Sequence, residues 1–261
     1  MNQREKAELF RRMHQEPPIL VLANAWDVVS AKLVESLPGC RAIATSSAAV
    51  AWALGCADGE VIPPEEMLEA VRRIAAAVQL PVTADLEAGY GDARATAEAA
   101  IEAGAVGLNL EDGVGETALV STDEHVKRIE AIRKLDFPLV INARTDVFLS
   151  GLDDFDETVG RANAYLDAGA DCAFVPGVTD ELTIARLVRA IDGPVSILGM
   201  AATPPSGELE RLGVARVSVG SGLARLALAR TRETAAAVLT EGNFAVLAEA
   251  VPGAELNDLL G

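Results

Sequence analysis

Residues 101–110 read IEAGAVGLNL, which combines the end of a helix, a glycine and a short apolar strand. The same arrangement returns in LDAGADCAFV, residues 166–175. Glycine is favoured just past a helix because the chain there often turns left-handed, and glycine adopts that conformation at little cost. Gly39 and Gly213 also precede short apolar runs. The repeated unit indicates alternating helices and parallel strands.

Eight short apolar runs are candidate strands, with helical patterns between them. Eight strands alternating with helices in about 250 residues predict a (β/α)8 barrel of the TIM type. A doubly wound open sheet is the alternative, but it does not require eight strands, and no G-x-G-x-x-G follows the first strand. The candidate strands are Ile19–Leu22, Ala42–Thr45, Val82–Asp85, Val106–Leu110, Leu139–Asn142, Ala173–Val175, Val195–Leu198 and Val214–Val219. The predicted helices include residues 64–78, 92–103, 122–135, 155–168 and 180–191.

No internal linker is evident, so residues 1–261 are predicted to form a single barrel domain. Residues from about 242 to 261 follow the eighth barrel helix and carry their own apolar pattern. We expect this C-terminal tail to pack on the barrel or on a neighbouring subunit.

Charge and cysteine usage limit the classes of function. The formal net charge of −17 argues against a nucleic-acid partner, because an acidic surface repels phosphate backbones. Three cysteines without C-x-x-C spacing favour a reduced, cytoplasmic protein. No apolar stretch reaches the ~18 residues of a membrane span, so no membrane partner is expected. Any anionic substrate must be attracted by local positive charge, from a metal ion or an arginine.

Charged side chains end three consecutive candidate strands. Asp85 and Glu87 are two residues apart, so on an extended chain they face the same side. Glu111 ends the fourth strand and Arg144 the fifth, while Asp58 lies in the loop after the second. Like charges this close repel unless a cation or a shared proton offsets them. Because the active site of such a barrel lies at the C-terminal strand ends, we predict a polar site there that holds a hard metal ion.

Magnesium is the metal that this pattern favours, with Mn²⁺ as an alternative. Carboxylates and waters are the ligands of Mg²⁺, and the scarcity of histidine argues against zinc. For any one acidic residue, a helix cap or an ion pair is an equally good explanation. The recurrence at three strand ends favours the metal site. Asp112 is better explained as a structural partner, and Asp146 could simply orient Arg144.

Small residues follow the second strand, at Ser46, Ser47 and Ala48. Such a strand-to-helix junction leaves backbone N–H groups that can hold an anion, although a serine helix cap is the more common explanation. Asn24 and Trp26 end the first strand, and Trp26 is interpreted as a pocket wall slightly in preference to a core residue.

Of two further side chains, Arg144 is expected to take part in the site and His125 is not. An unpaired arginine is costly at a barrel strand end, and a guanidinium holds a carboxylate through two hydrogen bonds, so Arg144 is a candidate substrate clamp. His125 follows the possible helix cap of residues 121–124 and is expected on a helix surface.

Together these segments resemble the isocitrate lyase/phosphoenolpyruvate mutase superfamily. Their joint order and spacing are specific, although each motif alone is not, and they span most of the barrel. The matching motifs are NAWD (24–27), TSSA (45–48), G-x-x-D (55–58), D-x-E-x-G-Y-G (85–91), G-x-N-x-E-D (107–112) and NARTD (142–146).

The resemblance implies a Mg²⁺-dependent barrel enzyme that acts on 2-oxo acids or their enol forms. It places Asp85 on the metal, the backbone of residues 46–48 on the substrate carboxylate, and Arg144 on another anionic group. Members usually form tetramers that are built from dimers, and the subunits of each dimer exchange a C-terminal helix, so a homodimer or homotetramer is expected. The residues implied around the metal, largely through waters, are Asp58, Glu87 and Glu111. The candidate catalytic residues are Asp58, Glu111 and Arg144.

One loop departs from the family pattern. Lyase members carry a Lys-Lys/Arg-Cys-Gly-His loop after the fourth strand, whereas residues 113–121 read GVGETALVS here. The Lys- and Asn-bearing gate of phosphonate-processing members is also missing. Decarboxylation is the reaction that least requires an acid–base group from this loop, because CO₂ departs without a protein base. We therefore predict a lyase that makes or breaks a C–C bond next to a 2-oxo carboxylic acid, by decarboxylation or retro-aldol chemistry. The alternatives are a non-catalytic 2-oxo acid sensor and P–C chemistry of the phosphonopyruvate type.

Overall fold

Strands and helices alternate through the computed structural model, which describes residues 1–115 and 117–261. The strands are β1 Leu20–Leu22, β2 Asn24–Ala25, β3 Ile43–Thr45, β4 Val82–Asp85, β5 Gly107–Glu111, β6 Gly113–Val114, β7 Ala118–Leu119, β8 Val140–Arg144, β9 Cys172–Val175, β10 Val195–Leu198 and β11 Arg216–Ser218. The helices are α1 Gln3–Arg12, α2 Val28–Glu35, α3 Ser47–Ala53, α4 Pro64–Ala77, α5 Ala93–Glu102, α6 Thr122–Arg133, α7 Phe155–Asp167, α8 Glu181–Ala190, α9 Ser206–Leu212, α10 Gly222–Ala236 and α11 Gly253–Leu260. Between α10 and α11 lie a π-helical turn at Ala237–Glu241 and a 3-10 turn at Ala245–Glu249.

Nine strands form one parallel sheet in the order β1-β11-β10-β9-β8-β5-β4-β3-β2. Because β1 and β2 are two parts of the first barrel strand, separated only by Ala23, their pairing with β11 and β3 brings the two edges together. Eight strands therefore form a nearly closed TIM-type barrel, which confirms the predicted fold. The hairpin of β6 and β7 stands apart from the sheet and was not predicted.

The predicted elements are all present, with ends displaced by no more than two residues. The glycines after α5 and α7 have the left-handed conformation that their position requires, with φ of +99° at Gly104 and +105° at Gly169. A Cβ at Gly104 would also lie 2.9 Å from the Cβ of Ala75 on α4. The repeat that suggested the barrel therefore marks real helix-to-strand turns.

Helix α1 covers the N-terminal end of the barrel. Phe10 and Met13 are buried with apolar side chains from the strands, including Leu20 and Val140. A Cβ at Gly107 would lie 2.7 Å from the Phe10 ring, so the strand at that point has room only for glycine. Access to the barrel interior is therefore left at the C-terminal strand ends.

The C-terminal tail ends in α11, which contacts α2 of the same chain. Phe244 and Leu247, between α10 and α11, are exposed. Exchange of this tail between subunits stays a prediction. Within the described residues, no helix combines the length and the apolar character needed to cross a membrane.

Candidate active site

The C-terminal strand ends open into a cavity of about 1260 Å³. Most of the residues predicted for substrate and metal line it, whereas Glu87 and Glu111 are set back from its wall. The predicted residues on the wall are Asn24, Ser46, Ser47, Ala48, Asp58, Asp85 and Arg144. The wall also includes Trp52, Asn109, Phe174, residues 198–201 and 218–223, and one face of α10. The added strand-end residues lack the charge that made the other strand ends conspicuous, whereas α10 contributes Arg225 and Arg232 to the wall.

Asp85, the last residue of β4, is held in a fixed orientation. Its Oδ2 atom accepts hydrogen bonds from the backbone N–H (3.1 Å) and the hydroxyl (2.9 Å) of Ser47. Its Oδ1 atom accepts a longer bond from the side-chain amide of Asn109 (3.4 Å), and its own backbone N–H donates to the hydroxyl of Thr45 (2.9 Å). The carboxylate is therefore pre-oriented on the cavity wall.

Three non-glycine residues with left-handed backbone interlock beside Asp85. They are Glu60, Glu87 and Tyr90, with φ between 50° and 57°. The backbone N–H of Glu60 donates to Glu87 (2.6 Å), the backbone N–H of Tyr90 donates to Glu60 (2.6 Å), and the Tyr90 hydroxyl donates to Glu87 (3.1 Å). Such conformations are costly for these residues and persist only where neighbours enforce them. These hydrogen bonds therefore hold Glu87 in an otherwise unfavourable conformation.

Like charges are concentrated around Asp85. Burial raises the pKa of Glu87 to about 7, and the neighbouring carboxylates of Asp58 and Asp85 contribute to that rise. Burial and the charge of Asp85 also raise the pKa of Asp58. Burial raises the pKa of Glu111, although the Arg144 guanidinium opposes the rise. The protein therefore holds an acidic cluster whose mutual repulsion a cation would reduce.

Arg144 is paired rather than free. Its Nη1 atom lies 2.6 Å from Glu111, and its Nε and Nη2 atoms donate to the two oxygens of Asp146 at 2.5 and 2.8 Å. Although burial lowers the pKa of Arg144, these two carboxylates raise it above its usual value. Asp146 thus orients the guanidinium, which also lies over the ring of Phe174 on the cavity wall.

The acidic residues fit a magnesium ion held mainly through water. Among the described residues, no three His, Cys, Asp or Glu side chains converge closely enough to hold a metal ion directly. Mg²⁺ does not require such a cage, because it keeps several waters and takes one or two carboxylates. Asp85 and Asp58 are the carboxylates on the cavity wall and would be the ones to hold the ion, whereas Glu87 and Glu111 are set back behind them.

The structure does not bring Trp26 into the cavity. Trp26 lines a separate cleft of about 650 Å³, together with Leu54 of the loop after α3 and Ala70 of α4. The tryptophan on the cavity wall is Trp52, in α3. The reason is that the chain turns into α2 directly after β2, and this turn carries Trp26 to the outer side of the sheet.

Asn24 lies on the cavity wall but is occupied by backbone groups. Its amide N–H donates to the carbonyl of Thr45 (2.7 Å), and its Oδ1 atom accepts from the N–H groups of Val219 (3.0 Å) and Gly220 (2.9 Å). Asn24 therefore joins the first strand to its two neighbours in the barrel and shapes the wall.

Asp112 is a structural residue, as the sequence suggested. It is fully buried, and it accepts hydrogen bonds from Arg161 (3.1 Å), the Tyr165 hydroxyl (2.7 Å) and the backbone N–H of Asp146 (2.9 Å).

The expectation of a surface position for His125 is wrong. Its imidazole is fully buried, with its centroid 4.5 Å from that of the Tyr165 ring, because this face of α6 packs against α7.

The fold and the cavity at its C-terminal strand ends define an α/β-barrel enzyme. The sequence profile of the phosphoenolpyruvate phosphomutase family matches residues 10–239. The chain belongs to that family, within the isocitrate lyase/phosphoenolpyruvate mutase superfamily.

Among the similar proteins are a lyase and a decarboxylase. The chain is 31% identical to 2-methylisocitrate lyase of Halalkalibacterium halodurans, over 74% of this chain and 67% of the relative. It is 30% identical to oxaloacetate decarboxylase of Bradyrhizobium diazoefficiens, over 75% and 72% of the two chains. A solved structure from Burkholderia cenocepacia J2315 has a TM-score of 0.91 and 40% identity, over 98% of this chain and 95% of that one. The predictions of this superfamily and of a carbon–carbon lyase are confirmed.

Proposed function

We propose that this protein is a Mg²⁺-dependent lyase that binds a 2-oxo carboxylic acid and makes or breaks the adjacent C–C bond. The observation that carries the proposal is the fixed carboxylate of Asp85. It lies on the cavity wall at the centre of an acidic cluster, and the same cavity includes the N-terminal turn of α3 and the guanidinium of Arg144. A cation site thus faces groups suited to an anionic substrate.

The protein's own groups have distinct tasks in this proposal. Helix α3 begins at Ser47, whose N–H donates to Asp85, and the Ala49 N–H donates to the Ser46 hydroxyl. The N–H of Ala48, on the cavity wall, is therefore the group of this turn that we propose for a substrate carboxylate. Arg144, oriented by Asp146, holds a second anionic group. Asp85 fixes the position of the cation. When bound, Mg²⁺ acts as a Lewis acid for the negative charge that develops on the substrate's keto oxygen.

Among reactions of this class, we propose decarboxylation or retro-aldol cleavage. The relatives named oxaloacetate decarboxylase and 2-methylisocitrate lyase represent these two types of reaction. We also expect a homodimer or homotetramer, which light scattering on the purified protein would test.

The metal assignment is tested with Asp85→Asn, a substitution that keeps the shape of the side chain and removes its charge. Calorimetry should show Mg²⁺-dependent binding of oxalate, a dianion with the chelating geometry of a 2-oxo acid, to the natural protein and not to this variant. Asp167→Asn is the matched control, because Asp167 is exposed at the end of α7 that leads into the base of β9. Equal binding by Asp85→Asn and the natural protein would refute the assignment.

The reaction is tested by supplying oxaloacetate, 2-methylisocitrate-type acids and phosphonopyruvate, each with Mg²⁺ and then with Mn²⁺. Release of CO₂ or of a cleaved 2-oxo acid supports the proposed lyase. Turnover of phosphonopyruvate alone would assign P–C chemistry instead. Tight binding of these acids without any product would identify a sensor.

A further inference from the structure

Polar side chains fill a layer of the barrel interior directly below Asp85. Branched apolar side chains dominate this space in most barrels of the type. Here the buried residues on the strands include Thr83, Asn109, Asn142, Ser196 and Arg216, none more than 7% exposed. The layer is connected to the cavity, because Asn142 donates to the Oδ1 atom of Asn109 (2.8 Å), and the Asn109 amide donates to Asp85.

Arg216 is the charged member of this layer. It lies on β11, whereas its Nη2 atom donates to Asn109 on β5 at 3.1 Å, and three strands separate β11 from β5 in the sheet. The side chain therefore crosses the barrel interior. Its Nη1 atom lies 3.5 Å from Nε2 of His14, and no carboxylate among the described residues forms an ion pair with it. Burial lowers the pKa of Arg216 to about 10, so the group remains a cation at neutral pH.

A buried cation without a carboxylate partner is costly, and its presence requires an explanation. Its donor chemistry supplies one. A guanidinium has only donors, so the Asn109 atom facing it must be the amide oxygen. The amide nitrogen of Asn109 must then face the other way, toward Asp85. Arg216 and Asp85 thus select the same direction of the Asn109 amide, the guanidinium as a donor on one side and the carboxylate as an acceptor on the other.

We propose that Arg216 is a positioning residue, which fixes the amide direction of Asn109 and thereby the orientation in which Asp85 faces the cavity. This inference rests on the proposed function, because it assigns Asp85 to a cation. It explains why an arginine spans the barrel where a leucine would fill the space. It also gives the polar layer a role in the site, although no member below Asn109 lines the cavity.

The test is a double-mutant cycle read out as Mg²⁺ affinity by calorimetry. Arg216→Met and Asn109→Leu are made singly and together. Loss of an outer partner of a metal ligand costs about 10–100-fold in metal affinity, so each single variant should bind Mg²⁺ at least about tenfold more weakly. Because Arg216 acts through Asn109, the double variant should bind no more weakly than Asn109→Leu alone. Ser196→Ala is the matched control. Ser196 is aligned with Arg216 on the neighbouring strand, and its hydroxyl has no hydrogen-bond partner among the described residues, so the Mg²⁺ affinity of this variant should be unchanged.

The remaining outcomes of the double-mutant cycle distinguish misfolding, failure of this inference and failure of the proposed function. Thermal unfolding verifies that the variants fold, and Arg216→Lys, which keeps the charge but not the fork of donors, replaces Arg216→Met if that variant does not fold. Unchanged or tighter Mg²⁺ binding by a folded Arg216 variant overturns the inference. Additive losses in the cycle also overturn it, because Arg216 would then act independently of Asn109. Failure of the natural protein itself to bind Mg²⁺ would instead refute the proposed function.

Discussion

His125 allows a quantitative test of the packing between α6 and α7. Its ring is fully buried against Tyr165, and within the described residues neither ring nitrogen has a hydrogen-bond partner. Burial lowers the pKa of His125 from 6.5 to about 4, although the charge of Asp112 opposes that change. His125→Phe keeps an aromatic ring against Tyr165 and removes the titrating group.

The sign of the effect follows from proton linkage. Above pH 6.5 His125 is neutral in both the folded and the unfolded chain, so it contributes no pH dependence to the free energy of unfolding. Between pH 6.5 and 4 the unfolded chain binds a proton and the folded chain does not, so stability falls as the pH falls. The shift from 6.5 to about 4 corresponds to roughly 3 kcal/mol in total, of which roughly 2 kcal/mol is lost by pH 5.

The assay is urea denaturation of the natural protein and of His125→Phe, at pH 7 and at pH 5 and at one protein concentration. The free energy of unfolding of the natural protein should fall, relative to that of the variant, by roughly 2 kcal/mol between the two pH values. His14, whose pKa burial also lowers to about 4, is present in both proteins and cancels in the difference. Parallel losses of stability in the two proteins would show that His125 is protonated in the folded state, and the assigned burial would be wrong.

Three further substitutions test other parts of the site. Arg144→Lys cannot reproduce the paired bonds to Asp146 and should raise KM for the 2-oxo acid by about 10–100-fold, as steady-state kinetics would show. Asp112→Asn removes the buried anion of Arg161 and leaves it only the half-exposed Glu157, so it should lower the free energy of unfolding by about 3 kcal/mol in urea denaturation, with 1 kcal/mol or less refuting the structural role. Trp26→Phe should leave kcat and KM unchanged, because Trp26 lines the separate cleft; a large rise in KM would return it to the substrate site.

Features encoded locally along the chain could be predicted from the sequence. The alternation of helix, glycine and apolar strand fixes the barrel, because each unit must bury its apolar strand against the next. Asp85 and Arg144 could be located because charge at the end of an apolar strand is conspicuous, and barrel geometry brings all such ends together. Asp112 could be interpreted as a structural residue, unlike Asp85 and Arg144, because it lies just beyond the end of its strand, whose last residue is Glu111.

Features that depend on which elements meet across space could not be predicted in the same way. Arg216 lies within the apolar run of β11, and only closure of the barrel places it opposite Asn109. His125 follows a sequence typical of an exposed first turn, yet the angle at which α6 packs on α7 buries it. The direction of Trp26 depends on the immediate turn from β2 into α2, which a strand-end position alone does not specify.

The loop after β5 bears on which of the two lyase reactions the site favours. Its described part forms the small hairpin of β6 and β7 and includes Val114, Thr117, Ala118 and Leu119, while Glu116 lies outside the described residues. None of these four side chains can exchange a proton near neutral pH. Retro-aldol cleavage requires a base for the substrate hydroxyl, whereas loss of CO₂ from a 2-oxo acid with a β-carboxylate requires only that the developing negative charge be stabilised. The described part of the hairpin has no acid–base group, and Glu87, with a pKa of about 7, is set back from the cavity wall. For these reasons we propose decarboxylation ahead of retro-aldol cleavage.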